Sequence, residues 1–261
     1  MSEDKSNIIA LLGASNLYLT TGPALRQLAR FLPGPQEVFI ARGAGRSYGI
    51  KAGWNVVNYV GLSRSGLFDA LARAVKKHPH ARVYALLTDV GNDLLYGASP
   101  KVLVKWVGES MLRLREMGAR VAVTAMPAES IGRGGPARYL FFRSLYYYSC
   151  RIPREEMIRR IEEVGERLTA FCSEHEISLL PVDADWYSID RFHLRWGART
   201  SAWSCWLEHF LGRNGEAISS PRGKAFRLWD RQPQRCWSFG VERKKEQSGW
   251  DYSADARLYF Y

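Results

Sequence analysis

Four residues and a glycine loop have the types and settings that acyl-transfer chemistry needs. Ser15 lies in Gly13-Ala14-Ser15-Asn16, directly after an apolar run. A serine at a strand-to-helix turn can present its hydroxyl as a nucleophile, with the amides of the helix start available to an oxyanion; it can equally be a simple helix cap. Arg42-Gly43-Ala44-Gly45-Arg46-Ser47 is a flexible loop whose amides could approach a ligand closely, or a plain turn. Thr88-Asp89-Val90-Gly91-Asn92-Asp93 puts a carboxamide donor at a strand end, where an Asx turn would also suit it. In Asp190-Arg191-Phe192-His193 the three-residue separation lets the carboxylate reach Nδ1 of the imidazole and hold its tautomer. Of the five histidines, only His193 has a carboxylate at that spacing beyond a strand; His78 and His80 read as helix-end surface residues, His175 and His209 as helix residues.

The elements that must position these groups alternate in type. Short apolar runs at 8–12, 37–41, 82–87, 121–125 and 177–182 read as strands buried on both faces, with 55–60 a further candidate. Between them, helical spacing marks Leu25, Leu28 and Leu32 after a start at Pro23, residues 67–75, a stripe from Leu103 to Leu114 stopped by Gly118, and Met157, Ile161, Val164, Leu168 and Phe171. Such alternation predicts an α/β fold, a parallel sheet covered on both faces, whose ligands sit at the carboxyl ends of the strands. Two segments break the rhythm. Residues 127–153 hold a glycine-rich turn and the aromatic cluster Tyr139, Phe141, Phe142, Tyr146, Tyr147 and Tyr148 with Arg138 and Arg143. The 49 residues after Gly212 carry nine aromatics and ten basic against six acidic residues.

Ser15, a loop glycine, Asn92 and the Asp190–His193 pair, in that order and each after a strand, resemble the marker blocks of the SGNH or GDSL hydrolase superfamily. The first block reads LLGASNL, the third DVGNDLL and the fifth IDRFHL, and 197–206 resembles the family's closing helix. The resemblance spans roughly 8–210. It departs in detail: Ala14 stands where an aspartate usually precedes the nucleophile, and Val90 where a glycine stands two places before the asparagine. It implies a three-layer α/β/α, flavodoxin-like parallel sheet over 1–212, with 213–261 an aromatic-rich extension packed on it. It further implies an esterase with Ser15 as nucleophile, His193 as base, Asp190 orienting it, and the Ser15 and Gly45 amides with the Asn92 side chain as oxyanion donors. Gly43 is the alternative to Gly45. The substrate would be a small-molecule or carbohydrate ester; no metal or organic cofactor is called for. Arg42 and Arg46 could hold an anionic group, or be solvated surface arginines. The aromatic segment Tyr139 to Tyr148, with Tyr139 and Phe142 singled out for substrate contact, could line an acyl pocket or form a lid, or pack against the sheet edge. The same triad could serve an acyltransferase, and a catalytically idle binding module with a basic tail is the reading from another class.

Composition bounds these readings. The 261 residues are 46% apolar and 24% charged, an ordinary globular mixture, with a formal charge of +11. That charge favours anionic partners such as nucleic acid, a membrane surface or acidic substrates. Basic and aromatic residues interleave at 224–237, yet no nucleic-acid motif appears. No apolar run reaches the roughly 20 residues that span a bilayer, and the start lacks a basic region followed by a cleavable apolar one, so a cytoplasmic protein is expected. The four cysteines lie 22 or more residues apart without metal-ligand spacing, as free thiols would.

Overall fold

The computed structural model describes residues 6–212 and 232–261; most of the interleaved stretch 224–237 lies outside them. The strands are β1 (Asn7–Leu12), β2 (Gln36–Ala41), β3 (Val57–Tyr59), β4 (Arg82–Leu87), β5 (Arg120–Thr124), β6 (Ser178–Leu180), β7 (Arg235–Ser238), β8 (Val241–Lys244), β9 (Trp250–Asp251) and β10 (Ala256–Phe260). The helices are α1 (Ser15–Phe31), α2 (Leu67–Lys77), α3 (Asn92–Leu95), α4 (Pro100–Glu116), α5 (Ala128–Gly132), α6 (Pro136–Tyr146), α7 (Arg154–Glu174) and α8 (Arg199–Leu211).

The central sheet has the order β6-β5-β4-β1-β2-β10-β9, and all its pairs are parallel except β10 with β9. Strand β1 shows why it is central. Every residue in it is buried, Ile8, Ala10 and Leu12 toward one core and Ile9 and Leu11 toward the other, as the two-residue period of a strand requires. The first core takes the inner faces of α2, α4 and α7; the second takes α1 and α8. The result is the three-layer α/β/α architecture expected of alternating elements.

Three local readings change. Helix α1 begins at Ser15, not at Pro23, which sits inside it. Proline removes the amide that would bond the Leu19 carbonyl, and that oxygen instead accepts from Arg199 Nη1 at 3.2 Å, so the helix runs through. Residues 57–59 form a strand outside the central sheet, pairing with β7 in a small sheet of β3, β7 and β8. Residues 256–260 lie within the central sheet itself. Strand β10 runs parallel to β2 in register from Ala256 with Gln36, and Tyr259 stacks on Phe39 with ring centroids 4.7 Å apart.

Candidate active site

The order of strands reverses around β1, and at such a switch point the carboxyl ends of neighbouring strands part to leave a crevice. A cleft of about 480 Å³ opens there, and Ser15, Gly45, Asn92 and His193 all line it. Ser15 is the first residue of α1. Its helix start is held by Asp89, at the end of β4, whose carboxylate accepts from the amides of Ala14 (2.8 Å), Asn16 (3.0 Å) and Leu17 (3.1 Å). Asp89 reaches back through a left-handed backbone, φ 60°, a conformation aspartate tolerates better than most residues. Ser15's own amide is not among its partners.

Asn16 ties the opposite wall to the same helix. Its Nδ2 donates to the Phe192 carbonyl (3.0 Å) and its Oδ1 accepts from the Leu194 amide (2.8 Å), clamping the backbone on both sides of His193. Asp190 fixes the ring itself: His193 Nδ1 lies 2.7 Å from Asp190 Oδ2. An ionised carboxylate only accepts, so Nδ1 carries the hydrogen and Nε2 is left as the basic nitrogen. The other Asp190 oxygen accepts from the Ser188 hydroxyl (2.6 Å) and the amides of Phe192 and His193 (both 3.0 Å). Burial pushes the Asp190 carboxyl up, but the hydrogen bond and charge of the His193 ring, with the bonds from the Ser188 hydroxyl and the His193 amide, outweigh it and hold the group below the ordinary carboxylate range. Tyr146 completes the setting. Its hydroxyl donates to Asp190 Oδ2 at 3.3 Å and its ring meets the imidazole edge-on at 5.4 Å.

On the facing wall, Asn92 Nδ2 donates one hydrogen to the Arg46 carbonyl (3.0 Å), which aims the amide group and leaves its second hydrogen for the cleft. Gly45 lies beside it with φ 66°, where an added Cβ would sit 2.8 Å from the Gly53 carbonyl carbon, so glycine is required there. The Tyr96 hydroxyl donates to the carbonyls of Gly45 (2.7 Å) and Gly53 (3.0 Å) and holds that loop. Behind it, the fully buried Asp93 accepts from the Ser47 hydroxyl and from the amides of Tyr48 (2.8 Å) and Gly49 (3.0 Å). Gly43 lies away from the cleft, under the Tyr59 ring.

The remaining sequence candidates are placed differently. Arg42 and Arg46 are neither solvated nor in the cleft lining: they are 5% and 1% exposed. Arg42 Nη1 donates to the Tyr18 carbonyl and the Thr21 hydroxyl, and its guanidinium stacks over the Tyr18 and Phe260 rings. Arg46 donates to the carbonyls of Val60, Arg42 and Tyr261. Burial lowers both to about 10, which leaves them cationic at neutral pH and locked as internal braces. Tyr139 is buried with its hydroxyl on the Ile152 carbonyl, and Phe142 stacks behind Tyr146; neither lines the cleft. From that aromatic segment Tyr146 and Tyr147 do. The residues that sequence reasoning left without a role are Asn16, Asp89 and Asp93. All three sat inside quoted blocks, and none carries a pattern of its own.

No protein-family model matches the chain, and no curated protein matches it in sequence. Solved structures do match. Est24, a carbohydrate acetylesterase from Sinorhizobium meliloti, is 12% identical, covers 79% of this chain and 99% of its own, and superposes with a TM-score of 0.54. The aryl esterase of M. smegmatis is 12% identical with the same coverages and a TM-score of 0.53. The strand order, the helical layers on both faces and these superpositions together show that the chain shares the three-layer α/β/α fold of these two esterases.

Proposed function

We propose that the protein is a serine hydrolase that cleaves a carboxylic ester through an acyl-enzyme on Ser15. The observation that carries this reading is the Asp190–His193 bond of 2.7 Å on the wall of the cleft that Ser15 also lines, with Nε2 free to act as base. In this scheme His193 takes the Ser15 proton as Oγ attacks the ester carbonyl, and Asp190 offsets the charge that develops on the ring. The oxyanion is met by the amides of Ser15 and Gly45 and by the second hydrogen of Asn92. His193 returns the proton to the departing alcohol, and water then repeats the sequence to release the acid. The cleft wall is largely apolar, including Leu95, Met126, Ile131, Met157 and Ile161, which favours an ester with an apolar acyl or aryl group.

The test is covalent labelling by a fluorophosphonate, followed by hydrolysis of nitrophenyl esters of increasing chain length. Wild type should label and turn over ester, and Ser15→Ala should do neither while melting within a few degrees of wild type, because a hydroxyl at a helix start contributes about 1 kcal/mol at most. Full activity in Ser15→Ala would end the proposal.

A further inference from the structure

Helix α6 is apolar on the side that faces solvent. Its inner face is accounted for: Tyr139 is buried, and Tyr146 reaches Asp190. On the outer arc, where a helix of a globular protein carries charge, stand Leu140, Phe141 and Leu145, 53%, 62% and 54% exposed, with Tyr148 just beyond the helix at 81%. Single exposed apolar residues are commonplace, but a cluster on one helix face marks a docking surface.

The charge around this face is one-sided. From Ser130 to Arg154 the sequence holds five arginines and neither aspartate nor glutamate. Three are set aside: Arg133 is taken by Glu129 and Asp185, Arg154 by Glu155 and the Gly132 and Gly134 carbonyls, and Arg143 by the Ile152 carbonyl. Arg138, exposed on α6 itself, makes no hydrogen bond or ion pair among the described residues, and exposed Arg151 donates only to the main-chain oxygens of Tyr148 and Cys150. Leucine and phenylalanine flanked by uncommitted arginines is the pattern of a helix that lies in the headgroup layer of an anionic bilayer. No described helix is long and apolar enough to cross a membrane, so the contact would be peripheral. The same helix reaches the cleft on its inner side: α6 ends in Tyr146 and is followed by Tyr147, both of which line it.

We propose that the outer face of α6 docks the protein on an anionic phospholipid surface, with the mouth of the cleft at that surface. The docking stands on α6 alone. Its corollary, that the ester is an apolar one drawn from the surface, rests on the hydrolase reading.

Binding of the full chain to sedimented vesicles tests it. Vesicles of phosphatidylcholine mixed with phosphatidylglycerol should bind at least about tenfold more tightly than phosphatidylcholine alone, and the preference should fade as salt is raised. The triple variant Leu140→Ser, Phe141→Ser, Leu145→Ser should lose about a hundredfold in binding, and Arg138→Glu with Arg151→Glu should lose the preference for phosphatidylglycerol. All these side chains lie outside the cleft lining, so hydrolysis of a short, soluble nitrophenyl ester should be unchanged in every variant. Indifference to phosphatidylglycerol, or full binding by the triple variant, overturns the proposal. So does binding to soluble polyglutamate without binding to vesicles, which would assign the face to an acidic protein. Should the wild type turn over no ester, the hydrolase reading fails while the vesicle result still judges the docking.

Discussion

Replacing Asn16 with alanine removes the clamp between the helix that bears Ser15 and the loop that bears His193. Two hydrogen bonds disappear, to the Phe192 carbonyl at 3.0 Å and from the Leu194 amide at 2.8 Å. At roughly 0.5 to 1.5 kcal/mol net for each, the fold should lose about 1 to 3 kcal/mol, which a chain of this size shows as a melting temperature lower by several degrees. The larger effect should be on turnover. The imidazole keeps its bond to Asp190, but the backbone on both sides of it is released, and a displacement of about 1 Å in a reacting group can cost roughly a hundredfold in rate. We expect kcat for a nitrophenyl ester to fall by about ten- to a hundredfold, with a smaller rise in KM because Asn16, Phe192 and Leu194 themselves line the cleft. Asn16→Asp provides the control. It keeps an acceptor for the Leu194 amide but sets a carboxylate oxygen against the Phe192 carbonyl, so its kcat should fall at least as far as that of the alanine variant. Wild-type kcat in both variants would refute the view that these two bonds register the base against the nucleophile.

Asn92→Ala should lower kcat by about a hundredfold or more at nearly constant KM, because the donor is proposed to act on a charge present only in the transition state; a change confined to KM would place it in ground-state binding. Asp190 is held below its ordinary range in the folded protein, so its contribution to stability is complete above the unfolded carboxyl value of about 3.9 and is lost as pH falls through the folded one. The melting-temperature deficit of Asp190→Asn should therefore be full near neutral pH and shrink below about pH 4, and a deficit independent of pH would contradict it. Gly43→Ala would bring a Cβ within 2.6 Å of the Tyr59 ring, which also lines the cleft; thermal melting and esterase assays should show loss of both stability and activity.

The central sheet was legible in the sequence because strands buried on both faces are continuous apolar runs. The positions just past their ends were legible because ligands gather there. Ser15, Asn92 and the Asp190–His193 pair were singled out in that way, and Ser15, Asn92 and His193 line one cleft. What escaped is what acts across long separations. Asp89 caps a helix some 75 positions earlier in the chain, and Asn16 holds a loop more than 170 positions later; each reads locally as an ordinary polar residue. Arg42 and Arg46 looked solvated because arginines beside glycines usually are. Their burial depends on β10, whose Phe260 and neighbouring Tyr261 cover them, and no local pattern announces which strand will sit beside β2. Pro23 misled for a related reason, since the group that compensates for it, Arg199, comes from α8.

The pairing of β10 with β2 has a consequence for how the molecule is made. Strand β2 meets its second partner only about 220 residues further along the chain, so this contact adds to the non-local pairing that slows folding. Until residues 256–260 have emerged, the β2 edge presents unpaired amides and carbonyls, and the braces Arg42 and Arg46 lack Phe260 and Tyr261. The Arg46 carbonyl that aims Asn92 is part of that unfinished region. A nascent chain therefore carries every residue of the candidate site before the strand that covers Arg42 and Arg46 has been made.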